Sequence, residues 1–266
     1  MYKALLSYSR SLSSQSNVDL SRMNELQAVA PELWICTRDF RDSGIEVGQR
    51  MTVVRVGVNS LWIHSPLPLS PELAADLAAL GTVRHVLVPN CLQKPPLEEW
   101  RTHCRTALFW AAPGLRQISD FPFSGDLSEV PHPEWLGHFT PTLIQGMPTV
   151  NEVTYLHNGS RSLIVADLVY NLTTETDFAS RLLARANGIH GHLAVSRLFR
   201  SRMKDKTAVA ASLRSILSQE FDGLIPSHGS LLSGHGTRSL FAAAWSWLPN
   251  AFPSGPLADL DSTQNI

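Results

Sequence analysis

The chain has 266 residues, 44% hydrophobic and 17% charged, with 22 Lys and Arg against 23 Asp and Glu and a net charge of -1. Such a composition belongs to a globular protein with a core to bury, and its charge balance offers no field for steering polyanions, so disordered and nucleic-acid-binding classes are set aside. The three cysteines, Cys36, Cys91 and Cys104, share no C-x-x-C spacing, which excludes a disulfide framework and a cysteine zinc site and points to a reducing, cytoplasmic setting.

The serine-rich start carries Lys3 and Arg10 and no acid through Val18, a composition shared by organelle transit peptides and by plain extensions. Residues 1–30 are read as an extension, 31–250 as one domain and 251–266 as a tail. No apolar run reaches the length of a bilayer, so no membrane partner is expected.

Residues 33–37, 51–56 and 61–65 are strand-like, the last two an antiparallel pair across Gly57-Val58-Asn59-Ser60. Ser70-Pro71-Glu72 begins a helix that stops at Gly81. A strand over 83–88 ends in Pro89-Asn90, a helix starts near Leu97, and 107–111 is another strand. The proline-rich, aromatic stretch 119–146 reads as a long surface excursion covering a site. Residues 151–157 and 161–167 form a hairpin about Asn158-Gly159. Helices are expected over 176–187, 205–220 and 238–248, with a buried strand at 223–226. An opening meander followed by mixed elements fits an α/β, αββα sandwich, two mixed sheets face to face with helices outside, better than a doubly wound sheet.

Two apolar strands end in polar residues, at Asp167 and at Ser227-His228-Gly229. Reactive side chains collect at the carboxyl ends of strands, which makes Asp167 and His228 first candidates for a shared site. Asn90 closes a third strand, and the loop beyond it, Cys91-Leu92-Gln93-Lys94, holds no histidine.

From about Glu32 to Trp247 the chain resembles an uncharacterised, domain-of-unknown-function branch of the metallo-β-lactamase-like superfamily. The resemblance rests on Arg50-Met51-Thr52-Val53-Val54, Leu61-Trp62-Ile63-His64-Ser65-Pro66, Pro89-Asn90 with Trp100 ten residues on, Ala112-Pro113-Gly114-Leu115, Ser160 through Leu168, and Ser227-His228-Gly229. It implies an αββα fold with a metal site at the sheet edge, Asp167 in the place of a bridging carboxylate and His228 in that of the last histidine ligand. Members of this branch usually carry adjacent histidines three and four positions after the asparagine; here those positions hold Gln93 and Lys94.

An amide binds zinc or iron weakly and an ammonium has no lone pair to offer, so the expectation is a degenerate metal site with no metal cofactor. Lys94 is expected to pair with Asp167 in place of an ion. The expected function is metal-independent acid–base chemistry on a small organic substrate, by hydrolysis, isomerisation or cyclisation, in specialised metabolism. Its catalytic residues are His228, Asp167, Lys94 and Asn90, with His64, Gln93, Trp110 and Trp135 lining the substrate pocket. Two alternatives stand beside it. One is a metal-dependent hydrolase whose zinc, iron or manganese site is rebuilt by His64 or by His190 and His192; the other is a non-catalytic ligand-binding protein. Cys91 and His157 are read as structural.

Overall fold

The structure, a computed structural model, describes residues 24–173 and 177–249, so the transit-peptide reading and the C-terminal tail lie outside the described residues. The first half opens with β1 (Gln27–Ala30) and β2 (Leu33–Arg38), a short ribbon of β3 (Arg41–Asp42) and β4 (Ile45–Glu46), then β5 (Gln49–Arg55) and β6 (Ser60–His64). After a helix over Pro71–Leu80 come β7 (Thr82–Val88), a helix over Leu97–His103, β8 (Leu108–Ala111) and β9 (Gly125–Asp126). The second half holds β10 (Phe139–Leu143), β11 (Val153–His157), β12 (Ser162–Val165), β13 (Tyr170–Asn171), β14 (Leu193–Ala194), β15 (Gly223–Pro226) and β16 (Leu232–Ser233). Helices there span Phe178–Asn187, Arg197–Arg200, Lys206–Leu217 and Thr237–Ala244.

These strands make a seven-stranded sheet in the order β1-β2-β5-β6-β7-β8-β9 and a five-stranded one in the order β10-β11-β12-β15-β16. Both are mixed: β6, β7, β8 and β9 run parallel, as do β12 and β15, and the other pairs are antiparallel. Successive side chains alternate between faces, and the burial follows that period of two. In β6, Leu61 and Ile63 pack beneath the helices of the first half, while Trp62 points between the sheets. In β12, Leu163 and Val165 face the helices of the second half, while Ile164 joins Trp62, Leu87, Phe139 and Tyr155 between the sheets. Trp62, 4.2 Å from the Phe139 ring and fully buried, anchors that layer, and its loss to alanine would cost about 3–5 kcal/mol. The result is the α/β sandwich of two mixed sheets between helices expected from the element order.

Local chemistry sets the boundaries. Ser70 caps the first helix by accepting from the Leu73 amide at 3.2 Å, with Pro71 in its first turn. Asp205 does the same for Lys206–Leu217 through the amides of Thr207 and Ala208. Gly188, at φ 77°, ends Phe178–Asn187 in the left-handed conformation that glycine takes without strain. The expected start of that helix at Thr176 lies outside the described residues.

Two expectations are corrected. The 119–146 stretch is the crossing between the sheets, and it carries β9 on the edge of one and β10 on the edge of the other. Pro141 disguised β10, yet an edge strand tolerates a residue with no amide hydrogen. The hairpin exists, but residues 158–161 form a four-residue connection in which Arg161, at φ 52°, takes the left-handed position. Strand β1 also begins inside the span read as an extension.

Candidate functional site

The carboxyl ends of parallel strands from both sheets converge. β6 delivers His64, β7 delivers Asn90, β12 delivers Asp167 and β15 delivers Ser227 and His228, so the two leading candidates do meet: His228 Nε2 lies 3.1 Å from Asp167 Oδ1. The other ring nitrogen, Nδ1, lies 2.6 Å from the carbonyl oxygen of Gly48. A carbonyl can only accept, and Asp167 accepts as an anion, so both ring nitrogens carry protons and His228 is an imidazolium. The Tyr170 ring lies flat against it, 4.9 Å between centroids and 6° between planes, with Phe40 on the stack at 6.4 Å. Burial works against the charge, but the hydrogen bond and charge of Asp167 and the Gly48 carbonyl hold its pKa above the usual histidine value.

Asp167 accepts from three side chains. Oδ2 accepts from Asn90 Nδ2 at 2.7 Å, and Oδ1 accepts from the Tyr170 hydroxyl at 2.9 Å as well as from His228. Burial pushes its carboxyl up, and these three donors together bring it below the ordinary aspartate value. The Asn90 amide also donates to Glu152 Oε2 at 3.0 Å, while its carbonyl oxygen accepts from the amides of Leu92 and Gln93. Glu152, wholly buried, further accepts from the amides of Ala166, Asp167 and Leu168. Burial and the Asp167 charge push its pKa up to about 7, against four N–H donors that favour the anion. A second buried cation stands nearby: the Arg50 guanidinium donates to the carbonyls of Pro226 and Gly229 at 2.5 and 2.6 Å, clamping the loop that carries His228.

Lys94 is exposed, and no ion pair joins it to Asp167, which corrects the expected pairing. An ammonium is strongly hydrated and gains little from burial where His228 already supplies the positive charge. Gln93 donates instead to Ser65 Oγ at 3.0 Å. Ser65 also receives the Ser227 hydroxyl, at 3.3 Å, which leaves its own hydrogen for His64 Nδ1 at 3.2 Å. His64 therefore carries its proton on Nε2, which has no partner, and burial drives its pKa down to about 3.

Trp110 and Trp135 do line one cavity, of about 210 Å³, with Asp126, Leu127, His132 and Tyr155 among its other walls. None of Asp167, His228, Asn90 or His64 lines it. Cys91 donates its thiol to the Pro113 carbonyl at 3.4 Å, and burial raises its pKa, so it is a poor nucleophile. His157 is tied to Ser160 at 2.8 Å beside the hairpin connection, and His192 to the carbonyl of His190 at 3.0 Å.

The metal that the resemblance implies does not fit the donors at the strand ends. A catalytic zinc or iron keeps at least three imidazole or carboxylate ligands. Here Asp167 and His228 are bonded to each other, and Asn90 turns its NH2 toward the carboxylates. Among the described residues, no three His, Cys, Asp or Glu donors gather at this place. They gather elsewhere, at His85, His132 and Glu134, within 4.8 Å of one another. There, His85 Nδ1 accepts from Trp110 Nε1 at 3.3 Å and His132 Nδ1 from the Glu134 amide at 3.2 Å, so the lone pair of each neutral ring is already in use. Arg84 also sits on the Glu134 carboxylate at 3.2 Å.

Sequence reading missed Glu152, Tyr170 and the charge of Arg50. The D-x-x-Y spacing from Asp167 to Tyr170 was a legible local signal. Glu152 gave none, because its partners Asn90 and Asp167 reach it only through the pairing of the sheets.

No family model matches the chain, and no curated protein matches it by sequence. Solved structures match its fold. The metallo-β-lactamase from Pontibacter korlensis is 13% identical with a TM-score of 0.59, over 85% of this chain and 99% of that one. A β-lactamase domain protein from Burkholderia ambifaria is 14% identical with a TM-score of 0.61, over 89% and 76%. The metallo-β-lactamase FIM-1 from Pseudomonas aeruginosa, solved in a mono-zinc form, is 12% identical with a TM-score of 0.54, over 86% and 96%. The chain therefore has a metallo-β-lactamase-like α/β fold of two mixed sheets with flanking helices, and none of its helices among the described residues is long and apolar enough to cross a membrane.

Proposed function

We propose that this chain is a metal-independent protein that binds a small organic molecule, and that the His228–Asp167 ion pair ties its strand ends together where other proteins of the fold hold an ion. One observation carries the reading: both ring nitrogens of His228 are donors engaged by Gly48 and Asp167, so the residue has no lone pair to give a metal. Asp167 supports it as well, since Asn90, Tyr170 and His228 take up three of its carboxylate acceptor positions. Elemental analysis of protein purified without chelator tests it, with well under about 0.1 equivalent of zinc, iron or manganese expected. A stoichiometric metal removed together with the Asp167→Asn substitution would overturn it.

A second reading, metal-free acid–base catalysis by His228 and Asp167 with Asn90 orienting the carboxylate, has its own support. His228 is held protonated beside an anion, which is the poise of a general acid. Hydrolysis, isomerisation and cyclisation all use such a donor, and the stretch from Phe40 to Gly48 would have to lift for a substrate to reach it. His228→Ala separates the two: a catalyst loses turnover, whereas a binder keeps ligand affinity and loses only stability.

A further inference from the structure

Beside β8 and β9 lies the 210 Å³ cavity, and four of the residues lining it, Trp110, His132, Trp135 and Tyr155, carry rings. Trp110 and Trp135 stand edge to face with centroids 5.3 Å apart, and His132 lies 5.0 Å from each. Gly125 permits this arrangement, because a Cβ there would stand 2.8 Å from the Trp110 ring. We propose that this cavity binds a small, planar, uncharged aromatic molecule carrying a hydrogen-bond acceptor such as a carbonyl.

Size, ring geometry and polarity each narrow the guest. An apolar cavity of about 150 Å³ accommodates benzene, so this one accepts a substituted single ring or a compact bicycle. Aromatic walls at these angles offer faces and edges to a planar guest and far less to a saturated one. His132 supplies a donor: its Nδ1 takes the Glu134 amide hydrogen, which leaves a proton on Nε2. No lysine or arginine lines the cavity, while Asp126 does, so a carboxylate guest meets repulsion. A cationic guest would have to compete with Arg116, already 3.6 Å from Asp126.

This inference rests on reading the chain as a small-molecule binder, and the two fail differently. Metal found at the strand ends would overturn that reading and leave the cavity standing, whereas an empty titration of metal-free protein overturns the cavity alone. The experiment is a calorimetric and tryptophan-fluorescence titration of the full chain with benzamide. Benzoate, phenyltrimethylammonium and cyclohexanecarboxamide serve as comparators. Benzamide is expected to saturate in the low-millimolar range or better, about tenfold tighter than the other three. His132→Phe, which keeps a flat ring and deletes the donor, should weaken benzamide by about fivefold or more. Gly125→Ala should weaken it by displacing Trp110, and thermal melting checks that both variants fold. Failure of benzamide to saturate, tighter binding of benzoate or the ammonium, or unchanged affinity in His132→Phe would each overturn the proposal.

Discussion

Asn90 gives Asp167 its shortest side-chain hydrogen bond, 2.7 Å, and directs the same NH2 group to Glu152 at 3.0 Å, so one amide stands between two buried carboxyl groups. The arrangement works because an amide donates two hydrogens and adds no charge. Asn90→Ala should cost about 2–4 kcal/mol in urea unfolding, since two buried acceptors lose their donor at once. Asn90→Asp should cost more, by placing a third carboxyl beside the other two. Adding Glu152→Gln to Asn90→Ala should recover part of the loss. No recovery would mean that charge is not the reason for the cost.

The pH dependence of stability follows from groups that titrate differently when folded. Burial holds His64 down at about 3 and His85 and His157 at about 4. Between those values and about 6.5 the unfolded chain binds more protons than the native one, so their stabilisation is present above 6.5 and lost as pH falls. Glu152, raised to about 7, acts in the opposite direction, because the native state holds its proton where the unfolded state has released it. Three groups outweigh one, and the unfolding free energy from urea titrations should fall as pH drops from about 6.5 to about 4.5, with a slope of roughly 1–2 kcal/mol per pH unit. An unfolding free energy that stays flat over this range would contradict the burial of these imidazoles as neutral rings. On the alkaline side His228 controls the sign: its stabilisation is complete below the unfolded value and lost as pH rises through its raised folded value. His228→Gln should remove that alkaline loss.

Much of this was written in the sequence in a form that local chemistry could read. The order of the elements, an opening meander followed by mixed strands and helices, gave the sandwich, and the polar endings of β12 and β15 brought Asp167 to His228. What stayed hidden depended on pairing across the chain. Glu152 sits 15 residues from the Asp167 amide that it accepts from and on the far side of the hairpin from it. The source of the positive charge was misjudged for a similar reason. The sequence shows Lys94 in the loop after Asn90, but not that the Gly48 carbonyl faces His228 and makes the histidine itself the cation.

Lys94 gives a direct check on that correction. As an exposed side chain with no ion pair to Asp167, its replacement in Lys94→Gln should change stability by no more than about 0.5 kcal/mol. A lysine compensating a buried aspartate would cost about 3–5 kcal/mol when removed. Thermal melting of this one variant separates the two accounts.

The same loop offers a constructive test of the proposed metal independence. Asp167 and His228 alone supply two donors, and His228 yields its lone pair only if it gives up a proton. Gln93→His with Lys94→His adds two imidazoles on the loop whose position 93 already reaches Ser65, raising the donor count to four, the number a closed zinc site uses. The double variant should gain zinc binding, seen as a rise in melting temperature of several degrees at about 100 μM zinc and released protons on titration, while the parent chain shows neither. Zinc should also pull the His228 ring off the Gly48 carbonyl or off Asp167, visible as loss of one of its two protected ring protons in nitrogen-15 spectra. A variant that binds no zinc would show that the Tyr170 stack and the Gly48 hydrogen bond hold His228 away from a metal more strongly than two added ligands can offset.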